Sequence, residues 1–179
     1  FSKVRCKKDE LMAAICVYLA YEVSGMLMSL KEIAKACIGV TPREILKNKK
    51  KYAKNISLEI PYFDFTTCIP KFCSKFEMVF KQEKFVNHLG KYVRKNNIIP
   101  GNNPYSILSA IIYTCLKLLK RDETDKYGIY DISKHLFIAE NTVKKSICFL
   151  KQHISTICTV EILKKYKISS NNLETFINS

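Results

Sequence analysis

With 179 residues, 47% of them hydrophobic, the sequence is long and apolar enough for a packed core, and this excludes a disordered tail. Only five Gly and five Pro argue against a turn-rich β fold and for helices. A formal charge of +14 points to anionic partners, either nucleic acid or a membrane surface, although the longest apolar runs, Ala13 to Tyr21 and Ile107 to Cys115, are too short to span a bilayer.

Residues 1–10 are polar and basic, with Lys3, Arg5, Lys7 and Lys8. The spacing of Leu11, Ala14, Ile15, Tyr18 and Leu19 predicts a helix from Asp9 to Val23, stopped by Gly25. Ser29 and Glu32 form a capping-box pattern for a helix from Leu30 to Cys37. Thr41, Pro42 and Glu44 start the next helix in the same way, with Pro at its first position. That helix carries Arg43, Lys47, Lys49, Lys50, Lys51 and Lys54, with Ile45, Tyr52 and Ile56 as its buried side. Residues 57–65 break the pattern at Pro61 and read as a linker.

Thr66 or Thr67 is expected to cap a helix that buries Ile69, Phe72, Cys73 and Phe76. A helix from Gln82 to Lys95 turns Phe85, Leu89, Tyr92 and Val93 inward. The Pro-Gly of NNIIPGNN marks a turn, and Pro104 opens a long helix to Lys120 that is apolar nearly all round. A charged loop from Arg121 to Tyr127 leads to DISKHLFIAENTVKKSICFLKQHI. Here Ile132 and Leu136 mark a short helix, and residues 137–140 a tight connection. Val143, Ile147, Leu150 and Ile154 form one apolar stripe on a longer helix whose other face carries Asn141, Lys144, Lys145 and Lys151. Two helices meeting at a short turn, the second basic outward, form the pattern of a helix-turn-helix, and equally of an ordinary helical hairpin with a solvated face. After Ser155 only Val160, Ile162 and Leu163 favour a further short helix.

The eight cysteines contain no C-x-x-C pair and the three His are scattered, so zinc spacing is absent and free thiols in a reducing compartment are expected. Cys16, Cys115 and Cys148 lie within apolar helical patterns and read as small buried hydrophobes.

The chain also repeats itself. KEIAKACIGVTPREILKNKKKYAKNI lies over YDISKHLFIAENTVKKSICFLKQHI, matching Ile33 with Ile132, Thr41 with Ala139, Ile45 with Val143 and Ile56 with Ile154. AAICVYLAY and SAIIYTCLK precede the two copies at similar distances. The second unit has five helices around an apolar third, whereas the first shows only the last three. Two further helices are therefore expected N-terminal to this sequence.

Four stretches carry a family resemblance: AAICVYLAYEVSG with LKEIAKACIGVTPREI, IPKFCSKFEM, VRKNNIIPGNNPYSILSAIIYTCL, and DISKHLFIAENTVKKSICFL. In order and spacing the chain resembles the core of the transcription factor IIB family from about Lys7 to Ile154. The resemblance implies an all-α fold of two cyclin-like repeats. Residues 1–58 would be the incomplete first repeat, 59–65 a linker, 66–155 the second repeat ending in a helix-turn-helix, and 156–179 a tail. It implies a nuclear, non-enzymatic factor that binds TATA-binding protein on promoter DNA, contacts flanking DNA and helps recruit RNA polymerase II. No cofactor is implied here, since the family's zinc ribbon belongs to a separate N-terminal region.

By position, the resemblance assigns DNA contact to Lys7, Asn141, Thr142, Lys144 and Lys145. It assigns the face toward TATA-binding protein and DNA to Arg43, Lys47, Lys50 and Lys54. Some positions depart from the family. Phe137-Ile138 stands where Gly-Val is common, Asn141-Thr142 stands where Val-Thr is common, Lys144 replaces an Arg and so weakens bidentate guanine reading, and Glu22 replaces a basic residue. Asn141 and Thr142 equally suit a helix cap. The alternatives are an RNA polymerase III counterpart, a cyclin-fold adaptor for a kinase, and a sequence-independent nucleic-acid binder. An enzyme is remote, because paired carboxylates on one helix face, a Gly-rich phosphate loop and a supported Cys-His pair are all missing.

Overall fold

The structure, a computed structural model, describes residues 2–26, 28–58, 64–100, 103–119 and 127–178, with side chains described from Asp9 onward. Among the described residues the secondary structure is helical, so the fold is all-α. The chain forms two compact units, residues 1–68 and 69–179. Most of the linker (59–63) and of the charged loop (121–126), and Lys120 at the expected end of the long helix, lie outside the described residues.

The first unit contains α1 (Ser2–Val23), α2 (Leu30–Ala36), α3 (Pro42–Asn55) and a 3-10 turn (Phe65–Cys68). Helix α1 starts well before Asp9, because its first turns continue into the basic N-terminal stretch. Both capping boxes form. Ser29 Oγ accepts from the Lys31 amide at 3.2 Å while the Ser29 amide donates to Glu32 at 3.0 Å. Thr41 Oγ1 accepts from the Glu44 amide at 3.3 Å, and the Thr41 amide donates to Glu44 at 2.9 Å. These caps fix where the short helices start, since each satisfies amide groups that the helix itself leaves orphaned. Ala14, Ile15 and Leu19 of α1 meet Ile33, Val40, Ile45 and Ala53 in one core. Each fully buried Ile there contributes about 1.5–3 kcal/mol. Ile56 departs from its expected buried role: it caps the C-terminus of α3 and is 63% exposed, while Ala53 takes the inward position. The turn before residue 69 is nucleated by Asp64 rather than by a threonine side chain. Its Oδ1 accepts from the Thr66 amide at 3.0 Å and from the Thr66 hydroxyl at 2.7 Å.

The second unit contains α4 (Ile69–Lys75), α5 (Phe80–Asn96), α6 (Pro104–Leu118), α7 (Ile129–Leu136), α8 (Glu140–Ile157), α9 (Val160–Tyr166) and α10 (Ser170–Asn178). Asn103 caps α6 by accepting from the Tyr105 amide at 3.0 Å. Helix α6 packs against α5, α7, α8 and α10. Being covered on several sides, it buries Leu108, Ala110, Ile111, Ile112, Cys115, Leu116 and Leu118, and needs no polar face. Gln82 serves α5 twice. Its Oε1 accepts from the Val79 amide at 3.0 Å, and its buried Nε2 donates to the Leu119 carbonyl at 3.2 Å, satisfying the end of α6.

The C-terminal stretch folds into two helices, more than the single short one its residues favoured. Tyr166 of α9 is buried, with its ring 4.9 Å from that of Phe85 and its hydroxyl donating to the Lys84 carbonyl at 3.3 Å. Phe176 of α10 is buried, and Asn172 donates to the Leu118 carbonyl at 3.3 Å. Of the cysteines expected inside, Cys115 is buried but Cys16 and Cys148 are exposed, because each falls on the outward side of its helix.

Candidate nucleic-acid interface

Two exposed basic helix faces stand out, one in each unit. In α3, Ile45 and Ala53 face the core, which turns Arg43, Lys47, Lys50 and Lys54 outward. Their i, i+4, i+7, i+11 spacing places all four on one face along roughly 16 Å of helix. All four are exposed, and the only acid of α3, Glu44, is held by its capping box. Lys49 belongs to the same run in sequence but not to this face. Its Nζ pairs with Glu22 Oε1 at 2.6 Å and lies 4.9 Å from the centre of the Tyr18 ring. Burial, and then the Glu22 carboxylate, push the Tyr18 hydroxyl well above its ordinary pKa. Glu22, unusual in sequence, is thus the internal partner of a lysine in α3 and is only 21% exposed.

In the second unit α7 and α8 meet across Phe137, Ile138 and Ala139. Phe137 ends α7 in the left-handed region, with φ 54° and ψ 33°, the conformation that glycine usually supplies. Lys75 supports this corner by donating to the His135 carbonyl at 2.8 Å, and its ammonium lies 5.5 Å from the Phe137 ring centre. Helix α8 buries the whole stripe of Val143, Ile147, Leu150 and Ile154 and extends it to Ile157. Asn141, Lys144 and Lys145 are therefore exposed together near its N-terminus, while Thr142 is half-buried. Ala139 holds the N-cap position, so Asn141 and Thr142 sit inside the first turns and do not cap the helix. Lys151 leaves the outward set: its ammonium lies 5.1 Å from the centre of the Phe176 ring of α10. Phe149 and Gln152, which no sequence pattern marks, are exposed on α8 together with Cys148. The side chain of Lys7 lies outside the described residues.

Both surfaces can neutralise phosphates. Lysine acts there as a point charge. Among the described residues no group of three metal-ligating side chains converges. No described helix is long and apolar enough to cross a membrane.

No family model matches the chain. It is similar to transcription initiation factor IIB from several organisms. To that of Drosophila melanogaster it is 22% identical over 151 residues, 84% of this chain and 46% of the relative. To that of Glycine max it is 28% identical over 163 residues, 86% and 49% of the two chains. To transcription initiation factor IIB 7 of Halobacterium salinarum it is 24% identical over 123 residues, 69% and 38%. The chain spans about half the length of the curated relatives it matches.

Proposed function

We propose that this chain is the core of a general transcription initiation factor of the factor IIB kind. It acts in the nucleus, without catalysis, by joining TATA-binding protein on promoter DNA to the DNA that flanks it and so helping to recruit RNA polymerase. The observation that carries this reading is the similarity to factor IIB proteins across about 85% of the chain. The two helix trios, α1 with α2 and α3, and α6 with α7 and α8, support a pair of cyclin-like repeats, since each trio packs mutually and in the same chain order. In this reading α7 and α8 are the helix-turn-helix, and Asn141, Thr142, Lys144 and Lys145 meet DNA. Arg43, Lys47, Lys50 and Lys54 face TATA-binding protein and the adjoining DNA, and Lys7 the downstream backbone. The mechanism is positional: lysines hold phosphates on both sides of a bent element, and the partner supplies the bend.

Site-specific photocrosslinking tests it. A crosslinker at Asn141 and another at Lys47 should each label a TATA-containing duplex on opposite sides of the element, and only when TATA-binding protein is bound. Labelling from either site that ignores the element's position would contradict the proposal.

A further inference from the structure

Helix α5 carries a third basic face that the promoter role does not use. Lys84, His88, Lys91 and Lys95 repeat the i, i+4, i+7, i+11 spacing of the α3 stripe and cover roughly 16 Å of one helix side. The three lysines are exposed and His88 is half-exposed. The opposite side is anchored by Phe85, Val86, Leu89 and Val93, all buried. The one acid of α5, Glu83, stands away from the stripe, where its charge acts on Cys73 of α4. Helix α9 adds a fourth lysine beside the three of the stripe. The Tyr166 hydroxyl bonds the Lys84 carbonyl, the Tyr166 ring lies 6.2 Å from that of His88, and Lys165 lies over the same Tyr ring at 5.6 Å. After burial, the charge of Lys165 is the next cause that lowers the His88 pKa, so this lysine stands beside the stripe. The acid of α9, Glu161, stands four residues before Lys165 on the same helix side, so Lys165 is the least isolated charge of the face.

The head of the stripe is aromatic. Phe80, one turn before Lys84, is 71% exposed, and the Lys84 ammonium lies 4.3 Å from its ring centre. A row of point charges suits a phosphodiester backbone. A duplex keeps its base faces stacked inside, whereas an unpaired base can stack on an exposed ring beside a cation. We infer that the face formed by Phe80, Lys84, His88, Lys91, Lys95 and Lys165 binds single-stranded nucleic acid, with phosphates along the lysines and a base against Phe80. This surface lies on other helices than Lys144 and Lys145 and does not depend on the promoter role.

The test is fluorescence anisotropy of the full chain with a short labelled oligothymidylate, a duplex of the same length and a labelled polyglutamate peptide, over a range of salt. Lys91→Glu with Lys95→Glu should lower the salt slope for the single strand by about 0.7 for each lysine that had held a phosphate. Phe80→Ala should weaken single-strand binding by roughly five-fold or more and leave duplex binding unchanged. Lys144→Glu with Lys145→Glu should lower the single-strand slope by less than the α5 variant does. All these positions are exposed, so circular dichroism should show an unaltered fold. An unchanged slope in the α5 variant, equal loss of single strand and duplex on Phe80→Ala, or polyglutamate binding that matches the oligonucleotide would each overturn the inference.

Discussion

Lys47, Lys49 and Lys50 are near neighbours in sequence, but the structure gives them different work, and substitution should separate them. Lys47 and Lys50 point outward from α3, whereas Lys49 is tied to Glu22 at 2.6 Å with only 16% of its side chain exposed. For a TATA-containing duplex saturated with TATA-binding protein, Lys47→Ala with Lys50→Ala should lower the slope of log affinity against log salt by about 1.8, two phosphates at about 0.9 each on B-DNA. Stability should not change, because neither lysine packs on the core. Lys49→Ala should do the reverse. It removes the ion pair and the contact with Tyr18 and leaves a half-buried carboxylate without its cation, at about 1–2 kcal/mol. The melting temperature should then fall by roughly 3–6 °C with little change in salt slope. Anisotropy titrations at several salt concentrations and thermal melts of the three proteins decide the matter. If Lys49→Ala lowers the salt slope as much as the double variant, the division of α3 into a binding face and a structural face is wrong.

Three further outcomes can be checked. Thr41 caps α3 through its side chain, while Ala139 occupies the same position on α8 with no side-chain bond. Ala139→Thr should therefore add about 1 kcal/mol in urea denaturation, and Thr41→Ala should remove a similar amount; equal midpoints for all three proteins would contradict this. His135 is lowered below its ordinary pKa by burial first and then by Lys75. A depressed histidine binds fewer protons folded than unfolded, so its stabilisation is complete above about pH 6.5 and is lost as pH falls toward the folded pKa. NMR titration should place His135 below 6.5 and show it rising in Lys75→Met; an unmoved value would remove Lys75 as a cause. Finally, Cys16 and Cys148 should react quickly with a thiol reagent, whereas burial pushes Cys73 up to about 12 and Cys158 up to about 11, so both should resist. Fast labelling of Cys73 in the native chain would contradict its burial.

Local signals carried far in this sequence. Ser29 with Glu32 and Thr41 with Glu44 each reach their partner within three residues, so their spacing suffices to place the start of a helix. The apolar stripe of α8 was legible for the same reason, since one period of one helix decides it. What depended on distant partners was not legible. Lys49 looked like part of a uniform run because Glu22 is 27 residues away. Helix α9 is held by Tyr166 on α5, 82 residues earlier, and its own few apolar residues give little hint of that anchorage. Lys151 lost its place on the outer face once α10 supplied Phe176. Cys16 and Cys148 show the converse: an apolar residue within an apolar pattern can still fall on the outer side. The α5 stripe has no adjacent lysines, so it emerges only when the helix direction is fixed by Phe85, Val86, Leu89 and Val93.

The most direct test of the promoter role is the affinity of this chain for a TATA-containing duplex at physiological salt, measured by fluorescence anisotropy with and without saturating TATA-binding protein. The account predicts tight binding that appears only with the partner and is weakened by both Lys144→Glu and Arg43→Glu. Equal binding with and without TATA-binding protein, or no binding to the duplex in either case, would contradict it.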